Sequence, residues 1–417
     1  MAPNVLRMKA SIASTRQATL LVAFMWVAYF LNYSDRQAVF SMFPSLKADL
    51  GMTNEQLGLT GTIFLWVYAI CCPIAGHLAD RFSKRMLVVL SLFIWSIVTI
   101  ATVFAGSAAV ILSLREMMGI SESMFMPTAI ALTANAHPPS LRSRAIAILT
   151  TAQIVGTVAG SWFGGWMADH GQWRNAFFVL GCVGLLYTVP YFLFLRKINE
   201  NKHVKSNTTF KTLGISVLIK VRMYLLLCIV FPIFVFGLWL LYGWLPTFLH
   251  DKFSLNQSDA ALNATIFLQG ATLIGLLGGG VIADAIFQHS KASRLWLITA
   301  SLILCAPFLH ALGNSDTLNM TRIAATGFGL FSGLMIGNIF PAAFDVVPAD
   351  TRASAVGFLN FFGAIMSGFA TLFGGIWKQS LGIDRLLSLT ALAYVAAGIA
   401  LIVGIKRLFS KDYKTEQ

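Results

Sequence analysis

The stretch TLLVAFMWVAYFLNYSDRQAVF, residues 19 to 40, decides what kind of protein this is. It opens as unbroken apolar sequence, and about 20 such residues wound as a helix cross the ~30 Å hydrocarbon core of a bilayer. A secretory signal core is shorter and ends at a small-residue cleavage site, and this run has neither feature. It therefore reads as a retained first membrane helix. Yet Asp35 and Arg36 stand side by side where lipid should be. Either the helix ends in water there, or the two charges form a working pair inside the membrane.

The rest of the chain takes the same form. Of its 417 residues, 57% are hydrophobic and only 11% charged, whereas a soluble protein carries roughly 25% charged residues. Twelve apolar spans are expected near 19–41, 57–79, 86–106, 108–133, 145–168, 174–195, 223–249, 259–284, 294–313, 320–345, 353–377 and 384–405. They divide the chain into an N-terminal segment 1–18, a six-helix bundle 19–195, a polar linker 196–222, a second bundle 223–405 and a tail 406–417. The fold class is all-α integral membrane, with two pseudo-symmetric six-helix bundles.

With both termini cytoplasmic, about 22 of the 30 Lys and Arg residues fall on the cytoplasmic side. That bias orients the chain by the positive-inside rule and accounts for the net charge of +13 without a nucleic-acid partner. The five cysteines lie inside apolar runs and show neither disulfide nor metal-ligand spacing. No phosphate loop, nucleophile elbow or cofactor motif appears, which argues against an enzyme and against ATP coupling. No soluble segment exceeds the linker, which argues against a receptor or scaffold.

Internal repeats support the two halves. LRSRAIA at 141–147 matches TRASAVG at 351–357, and WFGGWM at 162–167 matches LFGGIW at 372–377. GHLAD at 76–80 returns as GVIAD at 280–284. Parallel halves of this kind place a substrate site at their interface, near mid-membrane.

Two motifs carry the chemistry. GHLADRFSKR, residues 76 to 85, combines a glycine, an acid and a basic cluster in a tight turn between spans. Gly76, Asp80, Arg81 and Arg85, with Asp284 in the second copy, are candidates for a conformational gate across the seam between halves. REMMGISESMFMP, residues 115 to 127, sets Arg115, Gly119 and Glu122 at i, i+4 and i+7, on one helix face. Glu122 lies roughly 18 Å of helix from either span edge, so a charge there needs a cavity or a partner.

Depth brings the charges together. Asp35 and Arg36 lie ~9–10 Å below the outer end of the first helix. Arg115 lies at similar depth in the fourth span, and Glu122 lower. Asp35 with Arg115 and Arg36 with Glu122 are the expected pairs, and the four charges sum to zero, which a low-dielectric site tolerates only while they are paired. An incoming carboxylate leaves one negative charge without a partner, and protonating Glu122 or Asp35 releases an arginine to grip it bidentately. Proton and anion binding then favour each other.

The turn motif resembles the loop signature of the major facilitator superfamily, although the second copy keeps Asp284 without the adjacent Arg. NYSDR (32–36), REMMGISE (115–122) and YGWLPTFL (242–249) together resemble its anion:cation symporter branch, which includes galactonate, hexuronate and glucarate permeases and animal sialin. The resemblance covers the whole chain and is strongest in the N-terminal half. It implies a twelve-helix, alternating-access carrier, monomeric in a bacterial inner membrane, moving a small organic anion with protons and without a cofactor. By position, Asp35 and Glu122 match the protonatable carboxylates and Arg36 the substrate-anion ligand. Tyr33, Tyr68 and Gln153 fall where that branch lines its pocket.

The C-terminal half departs from the pattern. GAIMSGFATLFGG, from Gly363, has Ala364 where the branch has an Asn, and it lacks the proline. Asn360, Asn338 and Tyr242 are the substitute substrate contacts, with Gln269 and Trp377 as further polar groups. Asp345, Arg322 and Asp384 sit at span edges and read as solvated ends. An uncharged C-terminal half also fits the alternative, a Spinster-like proton-coupled lysolipid or sphingolipid carrier or exporter.

Overall fold

The computed structural model describes residues 15–198, 215–287, 290–348 and 351–413, which fold into helices with no β-strand among them. In chain order these are α1 (Thr15–Ser41), a short α2 (Phe43–Leu50), α3 (Asn54–Arg81), α4 (Lys84–Ala101), α5 (Ala108–Ser123), α6 (Phe125–Ala136), α7 (Pro139–Asp169) and α8 (Trp173–Leu195). A single turn, α9 (Ile215–Leu218), follows in the linker. Then come α10 (Arg222–Phe253), α11 (Gln257–Phe287), α12 (Ser293–Asn314), α13 (Leu318–Phe344), α14 (Arg352–Trp377) and α15 (Ile383–Gly404).

Among the described residues, ten helices are long and apolar enough to cross a membrane. Two expected spans fall outside that set. The first, α1, has 27 residues but carries the polar block Asn32 to Gln37. The fourth is broken into α5 and α6, of 16 and 12 residues, at Met124. Pro127 accounts for the break, because it has no N–H to give the Ser123 carbonyl. Side chains of neighbouring helices reach the carbonyls there: Ser91 Oγ donates to Ser121 O at 2.5 Å, and Cys72 Sγ approaches Ser123 O at 4.0 Å. The two segments that fail the membrane criterion are the two that hold the four charges.

Helix pairing repeats between the halves. α1 packs on α7, α3 on α5 and α4 on α8, while α10 packs on α14, α11 on α13 and α12 on α15. Small residues permit the closest approaches, as expected where lipid supplies no hydrophobic drive between helices. On α7, a Cβ at Gly156, Gly160 or Gly164 would lie 2.5 Å from Phe30 O, 2.4 Å from Ser34 O and 2.7 Å from Ala38 O. This strip seats one face of α1, and the opposite face, with Asn32 and Arg36, turns towards α3 and α5.

The halves meet along two seams, α3 with α14 and α7 with α11. Both are tight at one end. Thr62 Oγ1 and Trp66 Nε1 donate to Gly368 O and Ile365 O, each at 2.9 Å. A Cβ on Gly375 would lie 2.3 Å from Asn54 O. At the other end, a Cβ on Gly76 or Gly357, on the same faces as Gly58, which packs on Thr371, and Gly368, meets nothing within 4 Å. The halves close near the N-termini of α3 and α11 and splay apart near their C-termini.

Asp169 fastens the closed end. At the end of α7, it accepts Gln257 N at 2.7 Å and Ser258 N at 2.9 Å, capping α11 of the other half. Losing such a cap costs about 0.5–2 kcal/mol, here charged to the closed arrangement alone. Asp169→Ala is expected to raise thiol labelling of a cysteine placed at Ser45, whose hydroxyl meets the Gln257 side chain across the closed end, by about 2- to 30-fold; unchanged labelling contradicts the latch.

Candidate functional site

Asp35, Arg36, Arg115 and Glu122 are the only Asp, Glu, Lys or Arg side chains that the fold buries among the described residues, each 4% exposed or less. α1 contributes the first two and α5 the others. Arg36 Nη2 meets Glu122 Oε2 at 2.7 Å, with Nε at 3.3 Å from the same oxygen. Nη2 also reaches Asn32 Oδ1 at 3.4 Å. The guanidinium is caged by the rings of Phe64, Tyr33 and Tyr68, whose centroids lie 4.7, 4.8 and 5.1 Å from its central carbon. Such cation–π contacts offset part of its desolvation cost, by about 2 kcal/mol or more for a buried case.

The expected Arg36–Glu122 pair is therefore present, but the expected Asp35–Arg115 pair is not among the ion pairs within 4.0 Å. Arg115 instead donates from Nε to Thr60 O and from Nη2 to Arg36 O, both at 3.4 Å, and rests on Phe64 at 5.0 Å. It ties α5 to the backbone of α1 and α3. Asp35 looks the other way, towards α4, where Thr99 Oγ1 donates to Oδ2 at 3.5 Å. Its Oδ1 and Glu122 Oε1 are buried without a hydrogen-bond partner. Adjacent residues on a helix point about 100° apart, which is why one of Asp35 and Arg36 faces α4 while the other faces α5.

The remaining candidates separate. Tyr33 and Tyr68 are half-buried around Arg36. Gln153, half-buried on α7, lies one turn before the Gly156 that seats Tyr33. Tyr242 on α10 is within electrostatic range of Tyr33 and Gln269, and its carbonyl accepts Gln37 Nε2 at 2.9 Å, joining the halves beside the site. Asn360 is exposed, on the α14 face that carries Thr371, which meets Thr62 across the seam, but beyond the closed part, so it borders the cleft. Asn338 does not. It is buried against Gly279 of α11 and donates to Leu334 O of its own helix at 2.9 Å. Trp377 stacks on Phe373 at the C-terminal end of α14, away from the charges.

The candidates for a gate lie at the splayed end. Arg81 is exposed, and Arg85 bonds the end of α8 at Leu195 O and Ile198 O; the Asp80 side chain lies outside the described residues. In the second half, Asp284 meets Arg294 at 3.3 Å and Asp345 meets it at 2.9 Å. Asp345 is thus an ion-paired residue rather than a solvated end, and burial pushes its carboxyl above the ordinary range against the pull of Arg294. Sequence reasoning missed Phe64, Asn32 and Thr99. Phe64 and Tyr68 stand at i and i+4, a spacing that puts both rings on one face.

A helical membrane protein with two interlocked halves, and with charges that among the described residues are buried only in the first, has the architecture of a secondary transporter. Residues 25–371 match the Major Facilitator Superfamily, and the chain belongs to that family. A protein described as a probable sulfoacetate transporter of Cupriavidus necator is 30% identical over 334 residues, covering 74% of this chain and 76% of the relative. The hexuronate transporter of Bacillus subtilis is 23% identical, covering 90% of this chain and 94% of the relative. In fold, a bacterial homologue of the human lysosomal transporter Spinster, in an inward-facing and occupied conformation, matches with a TM-score of 0.84 at 19% identity, over 97% of this chain and all of that one.

Proposed function

We propose that the protein carries a small organic anion, a sugar acid or another carboxylate, together with protons across a bacterial inner membrane. The observation that supports this most directly is the Arg36–Glu122 pair inside its ring of aromatics, at the level where α1 and α10 join the halves. Arg36 already holds one carboxylate. A substrate carboxylate takes that place when Glu122 is protonated, and the released guanidinium then faces Tyr33, Tyr68, Gln153, Tyr242 and Asn360. Asp35, with one free oxygen and no ion pair among the described residues, is the second proton site.

α1 and the α5–α6 pair complete twelve crossings in two pseudo-symmetric bundles, both termini being cytoplasmic by the charge bias. In that orientation the splayed end faces the cytoplasm and the Asp169 latch lies outside, so the cleft is open inward. Opening outward must break the latch and bring Gly76, Asp80, Arg81, Arg85 and Asp284 against the opposite half. The four charges stay neutral in sum through the cycle: a protonated acid and an incoming carboxylate exchange places.

A lysolipid carrier is the second reading. It is favoured by the absence of a buried charge among the described residues of the second half, and by the exposed apolar Phe361 beside Asn360 on α14. Uptake into proteoliposomes separates the two. Labelled sugar acids, sulfoacetate and a lysophospholipid are offered with and without an inward acid gradient. Uptake of a small acid that the gradient raises about tenfold or more, roughly one pH unit of driving force, is the expected result. Gradient-driven movement of the lysolipid alone overturns the small-anion reading.

A further inference from the structure

Two adjoining hollows lie away from the central cleft, on the flank between α4 and α8. One, of ≈ 240 Å³, is lined by Ser83, Arg85, Leu195 and Arg196; the next, of ≈ 260 Å³, by Leu90, Phe93, Val189 and Leu193. Met86, Val89 and Phe192 belong to both, so the two form one groove with a basic end and an apolar end. Among the described residues, no carboxylate lines either part. The hydroxyl in the apolar part, on Thr188, is spent on its own helix, donating to Gly184 O at 2.9 Å.

The placement matches the bilayer. The α4 span begins at Lys84 and the α8 span ends at Leu195, so Arg85 and Arg196 stand at the membrane boundary. Phe93 lies eight residues beyond Arg85, about 12 Å deeper along the helix. Arg196 rests over the Phe192 ring at 5.7 Å, which holds its charge at the mouth of the groove, and Lys197 follows it.

We propose that this groove binds an anionic phospholipid of the surrounding leaflet. Its phosphate sits between Arg85 and Arg196, and one acyl chain runs past Met86 and Phe192 towards Phe93 and Val189. Ordinary annular lipid covers exposed apolar side chains anywhere on the protein, but the basic end selects headgroup charge, worth about 1 kcal/mol for each Lys or Arg at the surface. A bound lipid bridges α4 to α8 at the turn that carries the gate motif, where Arg85 already links them through Leu195 O and Ile198 O. The proposal is independent of the transported substrate.

Native mass spectrometry of the full-length protein in detergent tests it, with phosphatidylglycerol and phosphatidylcholine of identical chains. One phosphatidylglycerol is expected to survive activation that strips phosphatidylcholine. Arg196→Gln is expected to lower its retention about fivefold, the equivalent of one lost surface charge. Val189→Trp, which fills the apolar end with both arginines intact, is expected to lower retention too, and soluble glycerol phosphate is expected not to displace the lipid. Equal retention of both lipids, wild-type retention by both variants, or displacement by glycerol phosphate each overturns the proposal.

Discussion

Glu122→Gln is expected to exchange the anion across the membrane at wild-type affinity, insensitive to pH, while accumulation driven by a pH gradient disappears. Glutamine has the shape of the protonated acid and cannot lose its proton. It leaves Arg36 within its cage of Phe64, Tyr33 and Tyr68 but removes the carboxylate that competes with substrate at 2.7 Å. The arginine is then permanently available, and because the remaining proton site, Asp35, bonds Thr99 rather than Arg36, no protonation controls the arginine's grip on the anion. The variant becomes an equilibrating carrier, so a tenfold gradient that drives about tenfold accumulation in the wild type drives none. Counterflow of preloaded substrate checks that binding and alternation persist; concentrative uptake at the normal level by this variant contradicts the coupling scheme. Asp35 provides the contrast. It has no ion pair within 4.0 Å among the described residues and does not hold Arg36, so Asp35→Asn is expected to remove a proton site without releasing Arg36.

Much of the fold could be read from hydropathy because a bilayer leaves backbone polar groups no partner but the helix itself. The expected spans fall on observed helices, closely at α11, where the 259–284 run becomes Gln257–Phe287, and less so at α7, where the run expected from 145 begins at Pro139. The exception has a local cause that was legible: Pro127 sits within the fourth apolar run, and a proline there frees the carbonyl four residues earlier. The paired repeats also have their counterpart in packing, since each helix pairing of the first half recurs in the second. What the sequence could not indicate is which end of the seams is closed. That depends on side chains from opposite halves meeting, as Asp169 meets the start of α11, and no periodicity encodes it.

The site was half legible. An ionisable residue far from either span edge marks itself, so Glu122, Arg115, Asp35 and Arg36 stood out by depth alone. Partner choice did not follow from depth, because it turns on azimuth. The 100° step between Asp35 and Arg36 sends the first to Thr99 on α4 and leaves Arg115 to serve the carbonyls of Thr60 and Arg36. Asn338 shows a related ambiguity. Polar character within an apolar helix marks it equally well for a substrate or for its own backbone, and the Leu334 carbonyl is what it bonds. Asp345 read as solvated because Arg294, its partner, lies 51 positions away along the chain.

Arg36→Lys is expected to fold and to lose anion binding by about 10- to 100-fold, the equivalent of one charge-assisted hydrogen bond in a buried site. Lysine keeps the charge, so the buried set remains neutral in sum, but an ammonium lacks the planar fork that presents donors from two separate nitrogens, as Nε and Nη2 do at 3.3 and 2.7 Å. It also loses the flat contact with the three rings. Arg36→Gln is a different experiment. It strands Glu122 in a site with no exposure, and breaking a buried pair in this way costs about 3–5 kcal/mol, so a misfolded product says nothing about binding. The double variant Arg36→Gln/Glu122→Gln removes both charges together and is expected to recover thermal stability close to the wild type. Binding must nevertheless stay lost in it, because no cation then faces the cleft at this point. Wild-type anion affinity in that stable double variant would remove Arg36 from the substrate site and leave its pairing with Glu122 a matter of structure alone.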